Sequence, residues 1–156
     1  MLTNKTNDID ELFLANVAAR IPQFLTPTIV NITKTLLLQK DYFKDHPIWK
    51  PLEKELFRRR NNLNNEQLAS IIYAFGVSGN GSKSFFYEIE ETIIDSPIPI
   101  ESENLEKILL GFSEIDQGSP VLYNHIVEKL LKRGLEEIEL PRLLEIAKGL
   151  SKATNT

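Results

Sequence analysis

Apolar residues return along this chain in two helical patterns, each repeating every 37 to 39 positions. Ile48, Phe85 and Leu122 stand 37 residues apart, and so do Trp49, Phe86 and Tyr123. The same step relates Leu52, Ile89 and Ile126, and then Leu56, Ile93 and Leu130. Within each set, gaps of three and four residues put the apolar side chains on one face of a helix. Asp45, Ser82 and Ser119 precede these helices in register, and all three residue types can accept a hydrogen bond from a free N–H of the first turn. Pro47 and Pro120 fall at or near the first helical position, where a missing N–H costs nothing. These segments are the B helices of a repeating unit.

A second family, the A helices, lies upstream of each B helix. Leu68, Ile71, Ile72 and Phe75 align with Leu105, Ile108, Leu109 and Phe112 at a step of 37, and with Leu143, Ile146, Ala147 and Leu150 at a further 38. Ile29, Ile32 and Leu36 fit the same columns 39 residues before. Thr35, Ala74, Gly111 and Gly149 form a column of small residues between the last two core positions. Glycine inside a helix costs about 1 kcal/mol against alanine, so its recurrence predicts a place where two backbones come close. Gly79-Asn80-Gly81 and Gln117-Gly118 mark the turns from A to B.

The pattern predicts an all-α protein, with an α-solenoid as its architecture. A leading helix near Asp10–Ile21 is followed by hairpins A1/B1, A2/B2 and A3/B3 and a final helix A4. The repeats span about 25–62, 63–100 and 101–138, with a half repeat at 139–151 and flexible ends at 1–8 and 152–156, all in one domain. One hairpin cannot bury its own apolar face, so the units must stack.

Composition narrows the function classes. There are no cysteines, which excludes disulfides and thiolate chemistry. No apolar run approaches the roughly 20 residues needed to cross a bilayer. The acidic, polar start has neither the basic region of a signal peptide nor the arginine-rich face of a transit peptide. The net charge of −4 is unevenly spread: residues 25–62 carry +4 and residues 63–138 carry −8. Neutralising a phosphate backbone takes lysine and arginine, so the acidic middle speaks against a long RNA track.

The columns resemble the helical repeats of organellar proteins, namely the octotricopeptide repeats and the repeats of FAST-kinase-like and RAP-domain proteins. The likeness rests on Leu63-Asn64-Asn65-Glu66-Gln67-Leu68-Ala69-Ser70-Ile71-Ile72-Tyr73-Ala74-Phe75 as a first helix, and on Gly118-Ser119-Pro120-Val121-Leu122-Tyr123 as the start of a second. It covers roughly residues 25 to 150. It implies mitochondria or plastids, with RNA as the family's usual ligand. The chain departs from the family in being short, in lacking room for a RAP domain and in having acidic repeats. Those departures direct the expectation to a non-catalytic structural or protein-interaction subunit of a large mitochondrial assembly, such as a respiratory-chain, ATP-synthase or mitoribosome accessory protein. A small RNA-binding repeat protein is the alternative, and the cytoplasm the alternative location.

Candidate chemistry is sparse. His46 and His125 are the only histidines, and neither has a carboxylate or second histidine at ligand spacing on its face, so a capping or surface role is expected and no metal or cofactor. Gly76 to Gly81 joins two helices and lacks the lysine of a phosphate-binding loop, so it reads as a turn. Arg58, Arg59 and Arg60 either offset the dipole at the end of B1 or meet an acidic partner or phosphate. Glu88, Glu90, Glu91 and Asp95 read as a solvated face of B2, with Glu90→Ala expected to change stability by less than about 0.5 kcal/mol. Trp49, Phe85, Phe86 and Tyr123 read as core rather than as base-stacking platforms. On A4, Leu144 falls off the repeated core columns beside Arg142 and Lys148, and these three are the expected contacts to a partner protein.

Overall fold

The computed structural model describes the backbone of residues 2–136 and 138–154, and the side chains of residues 10–136 and 138–151. These residues form α1 (Leu2–Arg20), α2 (Thr26–Leu38), α3 (Trp49–Arg58), α4 (Asn65–Ser78), α5 (Lys83–Ile94), α6 (Ser102–Glu114), α7 (Pro120–Arg133) and α8 (Leu140–Thr154), with 3-10 turns at Ile21–Gln23 and Arg60–Asn62. Among the described residues there is no strand, and the chain is all-helical. The leading helix starts well before Asp10, so most of the stretch expected to be loose is helical. It gives way at Ile21 because Pro22 cannot supply the next N–H. At the other end α8 continues to Thr154, and residues 155–156 lie outside the described residues.

Local chemistry accounts for several helix ends. Asn64 opens α4 with a capping box: its Oδ1 accepts from the Gln67 N–H at 2.8 Å, and Gln67 Oε1 accepts from the Asn64 N–H at 3.0 Å. Gly79 closes α4 in the left-handed region, at φ 73°, where a β-carbon would be strained. Ser82 Oγ accepts from the Phe85 N–H and Ser119 Oγ from the Leu122 N–H, each at 3.2 Å, as their register predicts. Asp45 does not behave as the third member of that column. It sits at φ 59° in a turn, and α3 begins only at Trp49. The His46 imidazole takes over the cap, its Nδ1 accepting from the Ile48 N–H at 3.1 Å.

The A helices pack in sequence, α2 on α4, α4 on α6 and α6 on α8, while α3 meets α5 and α5 meets α7. All the B-helix columns from Ile48 to Leu130 are buried. An aromatic series crosses the core from Trp49 to Phe75, Phe85, Phe86 and Phe112, edge to face except for the tilted Phe75–Phe85 pair, with ring centroids 5.0–5.5 Å apart. The small-residue column does mark close approach. A β-carbon on Gly111 would lie 2.4 Å from the Ile72 carbonyl oxygen, and one on Gly76 would lie 2.0 Å from the Gly111 carbonyl oxygen. Gly149 repeats the arrangement more loosely, against Ser113 and Leu109. Thr35 lies exposed on α2, its hydroxyl donating back to the Asn31 carbonyl at 2.8 Å.

Polar groups bind successive B helices together at the same 37-residue step. Glu53 Oε1 accepts from the Ser82 N–H, and Glu90 Oε1 from the Ser119 N–H, both at 2.6 Å. Glu90 is only 8% exposed, which overturns the expectation of a solvated side chain. Its carboxylate satisfies the N–H of the residue that caps α7, a charge-assisted bond across a junction. Glu90→Ala is therefore expected to lower the unfolding free energy by about 1–3 kcal/mol, the range for losing a bond to a charged group. Urea titration beside Glu91→Ala, an exposed control expected within about 0.5 kcal/mol of the parent, tests this. Equal effects would mean that the Ser119 bond contributes nothing.

Candidate partner-binding surfaces

The three arginines after Phe57 do different work because α3 ends at Arg58, Arg59 leaves the helical conformation and Arg60 opens a 3-10 turn, so their side chains part in different directions. Arg59 is drawn inward, with its side chain 13% exposed. It bonds Glu55 at 2.7 Å, the Thr26 hydroxyl at 3.0 Å and the Pro22 carbonyl at 3.1 Å, tying the end of α3 to the entry of α2. Arg60 lies over the Phe57 ring, 4.2 Å from its centroid, and donates to the Phe57 carbonyl. Arg58 projects into solvent, 66% exposed, while its guanidinium pairs with Glu55. Arg58 first, and then Arg59, hold the buried Glu55 carboxyl below the usual carboxylate range against the opposing effect of burial. Of the triplet, Arg58 is the one that reaches outward.

Arg142 likewise finds its counter-ion inside the chain. Its Nε and Nη2 donate to Glu106 Oε2 at 2.8 Å and 2.5 Å, Nε also reaching Oε1 at 3.1 Å, and so tie α8 to α6. The buried Glu106 sits in the column of Ala69 and Val30, the positions through which each A helix meets the next. Leu144 stands in that same column on α8 and is 62% exposed. Leu140, four residues before, is 67% exposed, and Ala147 and Lys148 are exposed as well. Ala147 departs from its core assignment for a plain reason. Its column mates Ile72 and Leu109 are covered by the helix that follows, and no described helix follows α8.

The remaining candidates are local. His46 Nδ1 accepts a bond, so in the neutral ring Nε2 carries the proton and donates to Glu11 of α1 at 3.0 Å. His125 is half-buried on α7, and burial, then Lys129, push its pKa down. The Tyr123 hydroxyl donates to the Gln117 carbonyl at 2.5 Å, and burial above all pushes its pKa up to about 12. With Trp49, Phe85 and Phe86 it belongs to the core. Among the described residues no group of three histidine or carboxylate side chains is arranged to hold a metal ion, and no helix is long and apolar enough to cross a membrane. An open cleft of about 470 Å³ runs between the start of α4 and the end of α5, lined by Arg60, Asn65, Glu88, Glu91, Asp95 and Ile98.

Sequence reasoning missed the glutamates that bridge helices. Glu53 and Glu90 were readable as a pair at the repeat step, and Glu106 as an acid in a column otherwise apolar. Asn64 and Gln67 also carry a plain capping-box spacing. What the fold defines is an all-α protein whose helices repeat caps, core columns and junction contacts. No protein-family model, curated protein or solved structure matches the chain.

Proposed function

We infer that this chain is an α-solenoid of helical hairpins and that it serves as a non-catalytic structural subunit, binding other proteins within a large mitochondrial assembly. The reading rests on one observation above the others, the apolar outer face of α8. Leu140, Leu144 and Ala147 turn apolar groups outward there, and contiguous exposed apolar surface marks a site of interaction. The organellar setting is supported by the resemblance of residues 63–75 and 118–123 to organellar repeats. An accessory role in a respiratory-chain, ATP-synthase or mitoribosomal particle suits a chain whose Arg59 and Arg142 are engaged by its own Glu55 and Glu106.

RNA binding through Arg58, Arg59 and Arg60 is the weaker reading, because Arg59 is engaged inside and Arg60 lies on Phe57. One pair of measurements separates the two. Sedimentation of a mitochondrial extract should carry the chain in a particle far heavier than itself. Filter binding of the purified chain to RNA should show little affinity and little dependence on salt, whereas a phosphate-binding surface would lose affinity steeply as salt rises. A chain that sediments alone and binds RNA with a steep salt slope would reverse the order.

A further inference from the structure

The turn that joins α4 to α5 carries Asn80-Gly81, and no other asparagine of the chain precedes a glycine. The pair lies outside both helices, between the left-handed Gly79 and the capping Ser82. Both residues are half-buried, so water reaches them. The Asn80 N–H donates to the Phe75 carbonyl and its Nδ2 to the Ser78 carbonyl, each at 3.1 Å. The Gly81 N–H makes no hydrogen bond to any described residue. Packing fixes the glycine, because a β-carbon there would stand 2.1 Å from Cε2 of Phe86, a fully buried ring with no room to turn away. The fold thus holds a side-chain amide beside a main-chain nitrogen that has neither a partner nor a side chain to shield it.

We propose that Asn80 is a site of spontaneous deamidation, with water as the co-reactant. Hydroxide removes the Gly81 amide proton, and the nitrogen attacks Asn80 Cγ to close a five-membered succinimide. The Cγ–Nδ2 bond breaks, and the nitrogen takes a proton from water and leaves as ammonia. A water molecule then opens the ring. Breaking the new bond to Cγ leaves aspartate, and breaking the original peptide bond leaves isoaspartate. Asn31, Asn104 and Asn124 lie within α2, α6 and α7, where the following N–H is spent on the helix. The bond from Asn80 to Ser78 holds the amide back, but one neutral bond shifts that population only by roughly twofold to tenfold.

Either product loosens the turn. A carboxylate cannot donate to the Ser78 carbonyl, and it stands at the C-terminal end of α4, where the helix dipole is negative. Asp45 and Glu53 line the same hollow, with His46 and Lys50 as a partial offset. Isoaspartate also lengthens the main chain by one methylene, which displaces Gly81 from Phe86 and Ser82 from the Glu53 carboxylate that accepts its N–H.

Peptide mass mapping of the purified full chain, held for weeks in warm, mildly alkaline buffer, tests the proposal. The tryptic peptide of residues 61–83 should gain one mass unit, and fragmentation should place the gain at Asn80. Conversion there should run at least severalfold faster than at Asn31, Asn104 or Asn124, and in proportion to hydroxide. Asn80→Gln keeps an amide but cannot close the five-membered ring, so it should show no gain over the same weeks. Asn80→Asp should keep its helicity and melt roughly 2–4 °C below the parent, the shift for about one lost bond in a chain of this size. An Asn80 that converts in urea but stays intact in the folded chain overturns the proposal, because the Ser78 bond then keeps the amide out of reach. A gain spread evenly over the asparagines overturns it equally. An Asn80→Asp chain as stable as the parent would overturn the loosening of the turn.

Discussion

Gly76→Ala should destabilise the chain by about 3 kcal/mol or more, although alanine is the better helix former by about 1 kcal/mol. The added β-carbon would stand 2.0 Å from the Gly111 carbonyl oxygen and 2.5 Å from its carbonyl carbon. These are main-chain atoms, which cannot turn aside as the end of a long side chain can. Relief requires α4 and α6 to separate, and that separation disturbs the packing of Ile72, Phe75 and Phe112. Overpacking usually costs 1–3 kcal/mol, and a backbone collision belongs at the top of that range or beyond it. Gly149→Ala is the matching control. Its β-carbon would lie 3.1 Å from the Ser113 hydroxyl and at ordinary contact distance, 3.7 Å, from Leu109, so it should fall within about 1 kcal/mol of the parent. Urea unfolding followed by far-UV dichroism decides the matter. A Gly76→Ala chain as stable as the parent would mean that the two helices do not cross at this distance.

Phe75→Ala should cost about 3–5 kcal/mol, the range for emptying a large aromatic site. Phe75 is fully buried, with Trp49 on one side at 5.1 Å and Phe85 on the other at 5.0 Å between ring centroids. The ring therefore joins α3, α4 and α5, and its removal leaves a void between three rigid elements rather than at the edge of one. Ile89→Ala should fall at about 2–5 kcal/mol by the same reasoning, and Glu90→Ala below both. An order in which the Glu90 change is the costliest would mean that the junction bond outweighs the core.

The α8 face shows how differently the two levels of evidence speak. Leu144 could be picked out because it breaks the periodicity of Leu143, Ile146 and Leu150. Arg142, beside it, looked equally available, yet its guanidinium is committed to Glu106, 36 residues away in sequence. The same holds for Arg58 to Arg60, where three identical side chains in a row have one outward and two inward fates. The counter-ion of Arg142 belongs to another helix, out of view of the local sequence, whereas Glu55, which pairs with Arg58 and Arg59, stands three and four residues before them on α3.

What the sequence determined by itself is the all-helical character, the helix faces and the caps of α5 and α7. Each depends on residues within a turn or two of one another: apolar groups three and four apart, or a serine three residues before the N–H it receives. The tertiary structure decided what lies between helices. Asp45 loses its cap to a histidine one residue on, Glu90 is buried by the arrival of Ser119, and Gly76 becomes indispensable because Gly111 lies against it. Ala147, patterned as core, is exposed where no described helix follows. The first is settled within one turn, by the positive φ of Asp45, but the physical reason is common to the other three. Periodicity states which side of a helix is apolar, but burial, pairing and backbone clearance are properties of two helices at once, and they exist only when the second has taken its place.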